Sequence, residues 1–286
     1  MEYLMTYGWA ILIIAIVLVA FFSLNLFNPY TFSPKASPGS CQILRPNGPG
    51  SNIFVSEVGL CNTNEIPQYV AQFNGASSYV NVGNVGGYIS GFTVTAWVKP
   101  TNAILTNVET SIITKRNAST STAGWAIGIG GTEGVEGAVV WRTFNGVNQY
   151  SIHSPLLGVS PNSWYFIAVT QNNGGANIYL NAANYSYSIP NPAVDPTPLD
   201  IGYYNGGASY FAGQISDVQI YNTSLSTSAI NTLYAEGIGG APIDLQHLVG
   251  WWPLNGNSND YSGNGNNGVP TDVVFTSSWE TGYSSP

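Results

Sequence analysis

Between Phe92 and Lys99 the residues alternate without a break. Phe92, Val94, Ala96 and Val98 fall on one side of an extended chain and Thr93, Thr95, Trp97 and Lys99 on the other. A period of two is what a β-strand requires, because successive side chains point to opposite faces. The same reading fits residues 112–113, 125–129, 139–141, 164–170, 177–180 and 214–221. Turn formers separate these runs, among them Asn74-Gly75, Asn145-Gly146 and Asn173-Gly174-Gly175. Many short strands with little helix predict a mainly β fold, a sandwich or barrel. One short helix is expected over residues 227–236: Ser226 can cap it, Ile230, Leu233 and Tyr234 can face a sheet, and Gly237 can end it.

Charge narrows the function. Only 7% of the 286 residues are Asp, Glu, Lys or Arg, against about 25% in an average soluble domain, and the formal net charge is -8. No basic patch is available to displace the counterions of a phosphate backbone, so nucleic acid is excluded as a partner. A surface with few carboxylates changes its charge little as pH falls, which suits an acidic exterior.

Residues 3–34 carry no charge, and residues 9–22 are uniformly apolar. A helix over residues 4–26, rising about 1.5 Å per residue, reaches across a hydrocarbon core of about 30 Å. The run lacks the basic n-region and small-residue cleavage site of a secretory signal peptide, so it is expected to be retained. Asn25, Asn28 and Pro29 end it. The opening Glu2-Tyr3-Leu4-Met5-Thr6-Tyr7-Gly8-Trp9-Ala10-Ile11-Leu12-Ile13 resembles archaeal type IV pilin-like proteins with a class III signal sequence. The resemblance implies processing by a prepilin-peptidase-type enzyme, residence in the membrane before assembly, and then packing of the helix in the core of an extracellular helical homopolymer. Glu2 takes the assembly role, because a carboxylate in an apolar bundle is costly unless it meets a cation. Hydropathy alone also fits a membrane anchor carrying an adhesin that does not polymerise.

Residues 28–67 are rich in Pro, Gly, Ser and Asn and read as a connector. Cys41 and Cys61 are an isolated, even pair within it, which in an exported chain favours a disulfide. Such a bond would stabilise by about 3 kcal/mol.

From residue 68 the chain resembles laminin-G-like domains of the concanavalin A-like lectin superfamily. The resemblance rests on Gln72-Phe73-Asn74-Gly75 with Ser78-Tyr79-Val80, on Phe92-Thr93-Val94-Thr95-Ala96-Trp97-Val98-Lys99-Pro100, on Asn162-Ser163-Trp164-Tyr165-Phe166 and on Gly213-Gln214-Ile215-Ser216-Asp217-Val218-Gln219-Ile220-Tyr221. It covers residues 68–236 and implies an antiparallel jelly-roll β-sandwich with surface glycans as candidate partners. The remaining residues, 237–286, hold Leu248-Val249-Gly250-Trp251-Trp252-Pro253-Leu254, a segment that usually opens such a domain and here comes last. It is expected to complete a sandwich, its own or that of a neighbouring subunit.

Asp260, Ser262 and Asn264 place oxygen donors at alternate positions before Gly265, as a calcium loop does. Thr271 stands where an EF-hand needs its bidentate glutamate, so that reading fails. Related lectin-like domains hold calcium between such a segment and an aspartate matching Asp217, which with Asn267 completes a candidate set. The same pattern equally describes an Asn/Gly turn bonded to its own backbone. Trp141, Tyr203, Tyr204 and Tyr210 are candidates for stacking on sugar rings, and Asn117, Asn184 and Asn222 head N-glycosylation sequons. Catalysis is not expected. Glu133 and Glu136 are the only close glutamate pair, in a Gly-rich turn that cannot fix two carboxyl groups; His153 and His247 are isolated; and no Gly-x-Ser-x-Gly elbow is present. The GxGxxG match at residues 263–268 has no strand leading in and no helix leading out.

Overall fold

The computed structural model describes residues 67–88, 90–101, 110–117, 119, 122–130, 136–205, 209–281 and 283, together with the backbone of two earlier strands. The residues expected to form a pilin-type helix, Glu2 among them, and the side chains of Cys41 and Cys61 in the expected connector lie outside the described residues. Among the described residues no helix is long and apolar enough to cross a membrane.

In chain order the strands are β1 (Cys41–Leu44), β2 (Phe54–Glu57), β3 (Val70–Asn74), β4 (Tyr79–Asn81), β5 (Phe92–Pro100), β6 (Thr110–Lys115), β7 (Ala123–Ile129), β8 (Val139–Asn145), β9 (Gln149–His153) and β10 (Tyr165–Asn172). There follow β11 (Gly175–Leu180), β12 (Ala183–Ser188), β13 (Asp200–Ile201), β14 (Tyr203–Tyr204), β15 (Ser209–Tyr210), β16 (Ala212–Tyr221), the helix α1 (Thr227–Glu236), β17 (Leu248–Trp252), β18 (Val269–Thr271) and β19 (Val274–Thr276). Strands β1 and β2 pair with each other as a two-stranded sheet. Strands β14 and β15 form a second two-stranded sheet, and the remaining strands form an antiparallel sandwich. One sheet has the order β12-β11-β10-β5-β16-β3-β19 with β17 also on β16, and the other runs β18-β4-β13-β6-β7-β8-β9.

Strand β5 shows why two cores form. Its Phe92, Val94, Ala96 and Val98 enter the core between the sheets with Trp125, Trp141 and Trp252. Its opposite face would be solvated in a simple sandwich, yet Trp97 lies there in a second core with Trp164, Phe166, Tyr179, Tyr221 and Trp279. Helix α1 covers this outer face through Ile230 and Leu233, and Tyr234 stacks on Trp97 with ring centroids 5.9 Å apart. Ser226 Oγ accepts from Ala229 N, and the Gly237 amide donates to the Tyr234 carbonyl, so the helix starts and stops where its capping residues allow.

The segment after α1 is built into the same sandwich. The first half of β16 pairs with β3 and its second half with β17, either side of a bulge at Asp217, whose φ is 50°. Trp252 is fully buried between the sheets, with its ring over Gly250, where an added Cβ would stand 2.1 Å from the ring. β18 then joins one sheet edge and β19 the other. Beyond them Trp279 Nε1 donates to the Pro67 carbonyl, and Trp164 Nε1 donates to the Trp279 carbonyl, each at 3.0 Å. Burying each such side chain is worth about 1.5 to 3 kcal/mol.

Candidate functional site

The residues named as calcium ligands lie in the turn that follows β17. Asp260 Oδ1 accepts from the amides of Trp251 (3.0 Å) and Ser262 (2.8 Å); Oδ2 accepts from Ser262 Oγ and the Asn266 amide, both at 2.9 Å. Four donors fill the roughly four acceptor directions of a carboxylate. Asn267 Oδ1 accepts from the Asp260 amide, and the Asn264 side-chain amide donates to the Leu248 and Val249 carbonyls. Asp217 is buried and accepts from Trp251 Nε1 at 2.8 Å and from Gln219 Nε2 at 3.1 Å. Burial pushes its carboxyl up to about 7, and those two hydrogen bonds only partly offset the rise. This donor set does not fit a calcium ion, because its oxygens already serve protein N–H and O–H groups. The turn is the self-bonded Asn/Gly alternative, and it fastens Trp251 to β16.

The stacking candidates separate. Trp141 is not available to a ligand: it is fully buried between the sheets, in register with Ile127 and Ile152, and its Nε1 donates to Gln171 Oε1 at 3.0 Å. Tyr203 and Tyr210 are half-buried and stacked on each other, with centroids 4.5 Å apart, and Tyr79 lies 5.3 Å from Tyr203. Tyr204 accepts a hydrogen bond from the Arg116 guanidinium, which lies 3.7 Å from the centroid of Phe144. Asn184 and Asn222 are exposed, whereas Asn117 is half-buried and accepts from the Ser119 amide. Glu136 is exposed and Glu133 lies outside the described residues. His153 is exposed on β9, and His247 pairs with Asp244 at 2.9 Å.

A different group of residues forms a cleft that the sequence did not single out. Its volume is about 370 Å³, and its walls include Asn84, Tyr88, Asp195, Pro196, Val249 and Asn266. Loops 84–88 and 194–197 are held side by side because the Val82 amide donates to the Leu199 carbonyl and the Leu199 amide donates to the Gly83 carbonyl. Trp125 Nε1 fixes the first loop through the Gly86 carbonyl at 2.9 Å. Lys115, fully buried at the end of β6, ties one loop to the other: its Nζ donates to Asn84 Oδ1 at 2.6 Å and to the Thr197 carbonyl. Burial lowers the Lys115 ammonium to about 8, while Asp195 and Asp200 draw it back up. Asp200 is itself raised to about 6 by burial, against hydrogen bonds from Asn81 and Asn205 and the charge of Lys115.

Asp195 is the notable member. It is 1% exposed; its Oδ1 accepts from the Thr197 amide at 2.7 Å and from Thr197 Oγ1 at 2.5 Å, whereas its Oδ2 has no hydrogen-bond partner among the described residues. A buried acceptor left unpaired costs about 1 to 3 kcal/mol. The cleft thus combines apolar wall and side-chain amides with Asp195, whose unused oxygen is shut off from solvent. Val249 lies on β17 and Asn266 in the turn that follows it, so the cleft exists only because this segment returns to the sandwich.

No protein of curated function matches the sequence significantly. Among solved structures, a Bacteroides ovatus protein assigned to carbohydrate binding superposes with a TM-score of 0.53 at 19% identity, over 79% of this chain and 66% of its own length. A heptameric SAP-like pentraxin from Limulus polyphemus gives 0.49 at 16% identity, over 74% of this chain and 95% of its own. The CBM40 domain of the Ruminococcus gnavus IT-sialidase gives 0.48 at 15% identity, over 59% and 98%. The first of these supports the fold alone; this chain spans about two thirds of that protein's length. Residues 74–231, more than half of the chain, match the laminin-G model of the concanavalin A-like lectin/glucanase superfamily, and the chain belongs to that family.

Proposed function

We propose that this protein is a structural subunit of an extracellular archaeal type IV pilus-like filament that displays a carbohydrate-binding lectin domain. The observation that carries the binding half is the cleft with its unpaired Asp195 oxygen, set in a sandwich of the concanavalin A-like lectin family. The filament half rests on the uncharged apolar run of residues 3–34 and on Glu2 ahead of it. Extracellular display is consistent with a surface whose solubility comes from Asn, Ser, Thr and Tyr. Glycan binding and polymerisation belong to different parts of the chain, so they can be tested apart. Negative-stain images of purified surface material are expected to show fibres containing this chain, and Glu2→Ala is expected to abolish them while leaving the sandwich folded. Normal fibres from Glu2→Ala would remove the assembly role of Glu2. A wild-type chain found only as single membrane-anchored copies would favour the adhesin that does not polymerise.

A further inference from the structure

We infer that the cleft between loops 84–88 and 194–196 is the sugar seat, and that it takes a neutral, hydroxyl-rich oligosaccharide. This rests on the lectin reading above and adds the place and the ligand class. The volume of about 370 Å³ lies within the range of about 300 to 1,000 Å³ typical of small-ligand sites. The walls have the two kinds of surface that a sugar ring presents in reverse. Tyr88, Pro196 and Val249 offer apolar area to its C–H faces; Asn84, Asn266 and Asp195 offer polar groups to its hydroxyls. Asp195 decides the class of ligand. Its carboxylate lies in the cleft wall with one oxygen unpaired and shut off from solvent, and a uronate or other acidic sugar would bring a second anion against it. The charge of Lys115 is already set against Asp195 and Asp200, and two of its protons go to Asn84 Oδ1 and the Thr197 carbonyl. Lys115 is a positioning residue here. It does for the two loops what a bound cation would do, drawing oxygen atoms from both onto one positive centre.

The test uses the full-length chain in detergent against an immobilised panel of neutral hexose and pentose oligosaccharides and their uronic-acid-containing counterparts. Val194→Trp places a large ring in the cleft from a position 61% exposed, so folding is not at stake. Asp195→Asn keeps the oxygen that holds Thr197 and turns the free one into a donor. Val194→Trp is expected to lose roughly tenfold or more in affinity for neutral sugars, an effect of about 1.4 kcal/mol, with melting temperature unchanged, and Asp195→Asn is expected to gain roughly tenfold in affinity for the uronic-acid-containing counterparts. Tyr204→Ala, on the other aromatic group, is expected to bind as wild type. If Asp195→Asn fails to fold, Val194→Trp decides alone. Neutral-sugar binding that survives Val194→Trp overturns the inference and leaves the lectin reading standing, as does a preference for acidic sugars. A wild-type chain that binds no member of the panel overturns both.

Discussion

Two places in this sandwich bury carboxylates, and they are solved in opposite ways. Around Asp217, on the outer face of the larger sheet, the acid has only neutral donors: Trp251 Nε1 and Gln219 Nε2, with Tyr221 in turn donating to Gln219 Oε1. Glu236, on the helix above, is also raised to about 7 by burial and adds a like charge to the Asp217 environment. Around Asp195 and Asp200, at the loop end, a buried lysine stands among the acids. The first arrangement favours the protonated acid and so responds to pH; the second keeps charge in place and fixes two loops. Helix and tail are therefore held by a network that acid strengthens, and the cleft by one that depends on a cation.

Removing that cation should have the largest effect. Lys115→Ala leaves two buried carboxylates without their positive neighbour and cuts the tie between loops 84–88 and 194–197, so a loss of about 3 to 5 kcal/mol is expected in chemical denaturation. A loss under about 1 kcal/mol would mean that the loops are held by the backbone pairing of Leu199 alone.

The acid network should give a smaller effect with a definite sign. Asp200, Asp217 and Glu236 have folded values of about 6, 7 and 7, above their ordinary 3.8, 3.8 and 4.5, so the folded chain binds more protons than the unfolded one between these limits. The stability they contribute is complete below about pH 4 and is lost as pH rises through 6 to 7. Lys115 runs the other way: lowered from 10.5 to about 8, it returns stability only as pH climbs above 8. The melting temperature is expected to fall from pH 5 to a minimum near pH 8. Asp217→Asn should flatten that fall, and Trp251→Phe should cost about 1 to 3 kcal/mol, more at pH 8 than at pH 5, because the lost donor then faced a charged acceptor. A melting temperature that rises between pH 5 and 7 would contradict the assignment of these three acids.

Calcium should have the smallest effect of all. With the oxygens of Asp260 taken by four protein donors, millimolar calcium or a chelator is expected to leave the melting temperature where it was. A clear rise with calcium would show that this turn opens to admit the ion.

How much of this could be read from the chain depends on whether a signal is local. Strands β5, β6, β7, β8, β10, β11 and β16 and helix α1 follow from alternation, Asn-Gly turns and a Ser cap, all contained within a few residues. The Leu248–Trp252 strand could be recognised by its type, and its place on β16 follows from the half of β16 that β3 leaves unpaired. Trp141 misled because an aromatic suits a concave binding face and a core equally well; register with Ile127 and Ile152 turns it inward. The calcium pattern misled because alternate oxygens serve an ion and a self-bonded turn equally, and only the surrounding amides distinguish them. The cleft gave no signal at all. Lys115 reads as an ordinary strand-end charge, and Asp195 lies in a Pro-rich loop far along the chain; only the fold brings them together.

The account turns on where a sugar touches the sandwich, and amide hydrogen exchange of the full-length chain, with and without the best-binding neutral oligosaccharide, measures that directly. Protection is expected in loops 84–88 and 194–197 and at the Asn266 turn, with β14 and β15 unchanged. Protection confined to the Tyr203, Tyr204 and Tyr210 hairpin, with none at those loops, would contradict it.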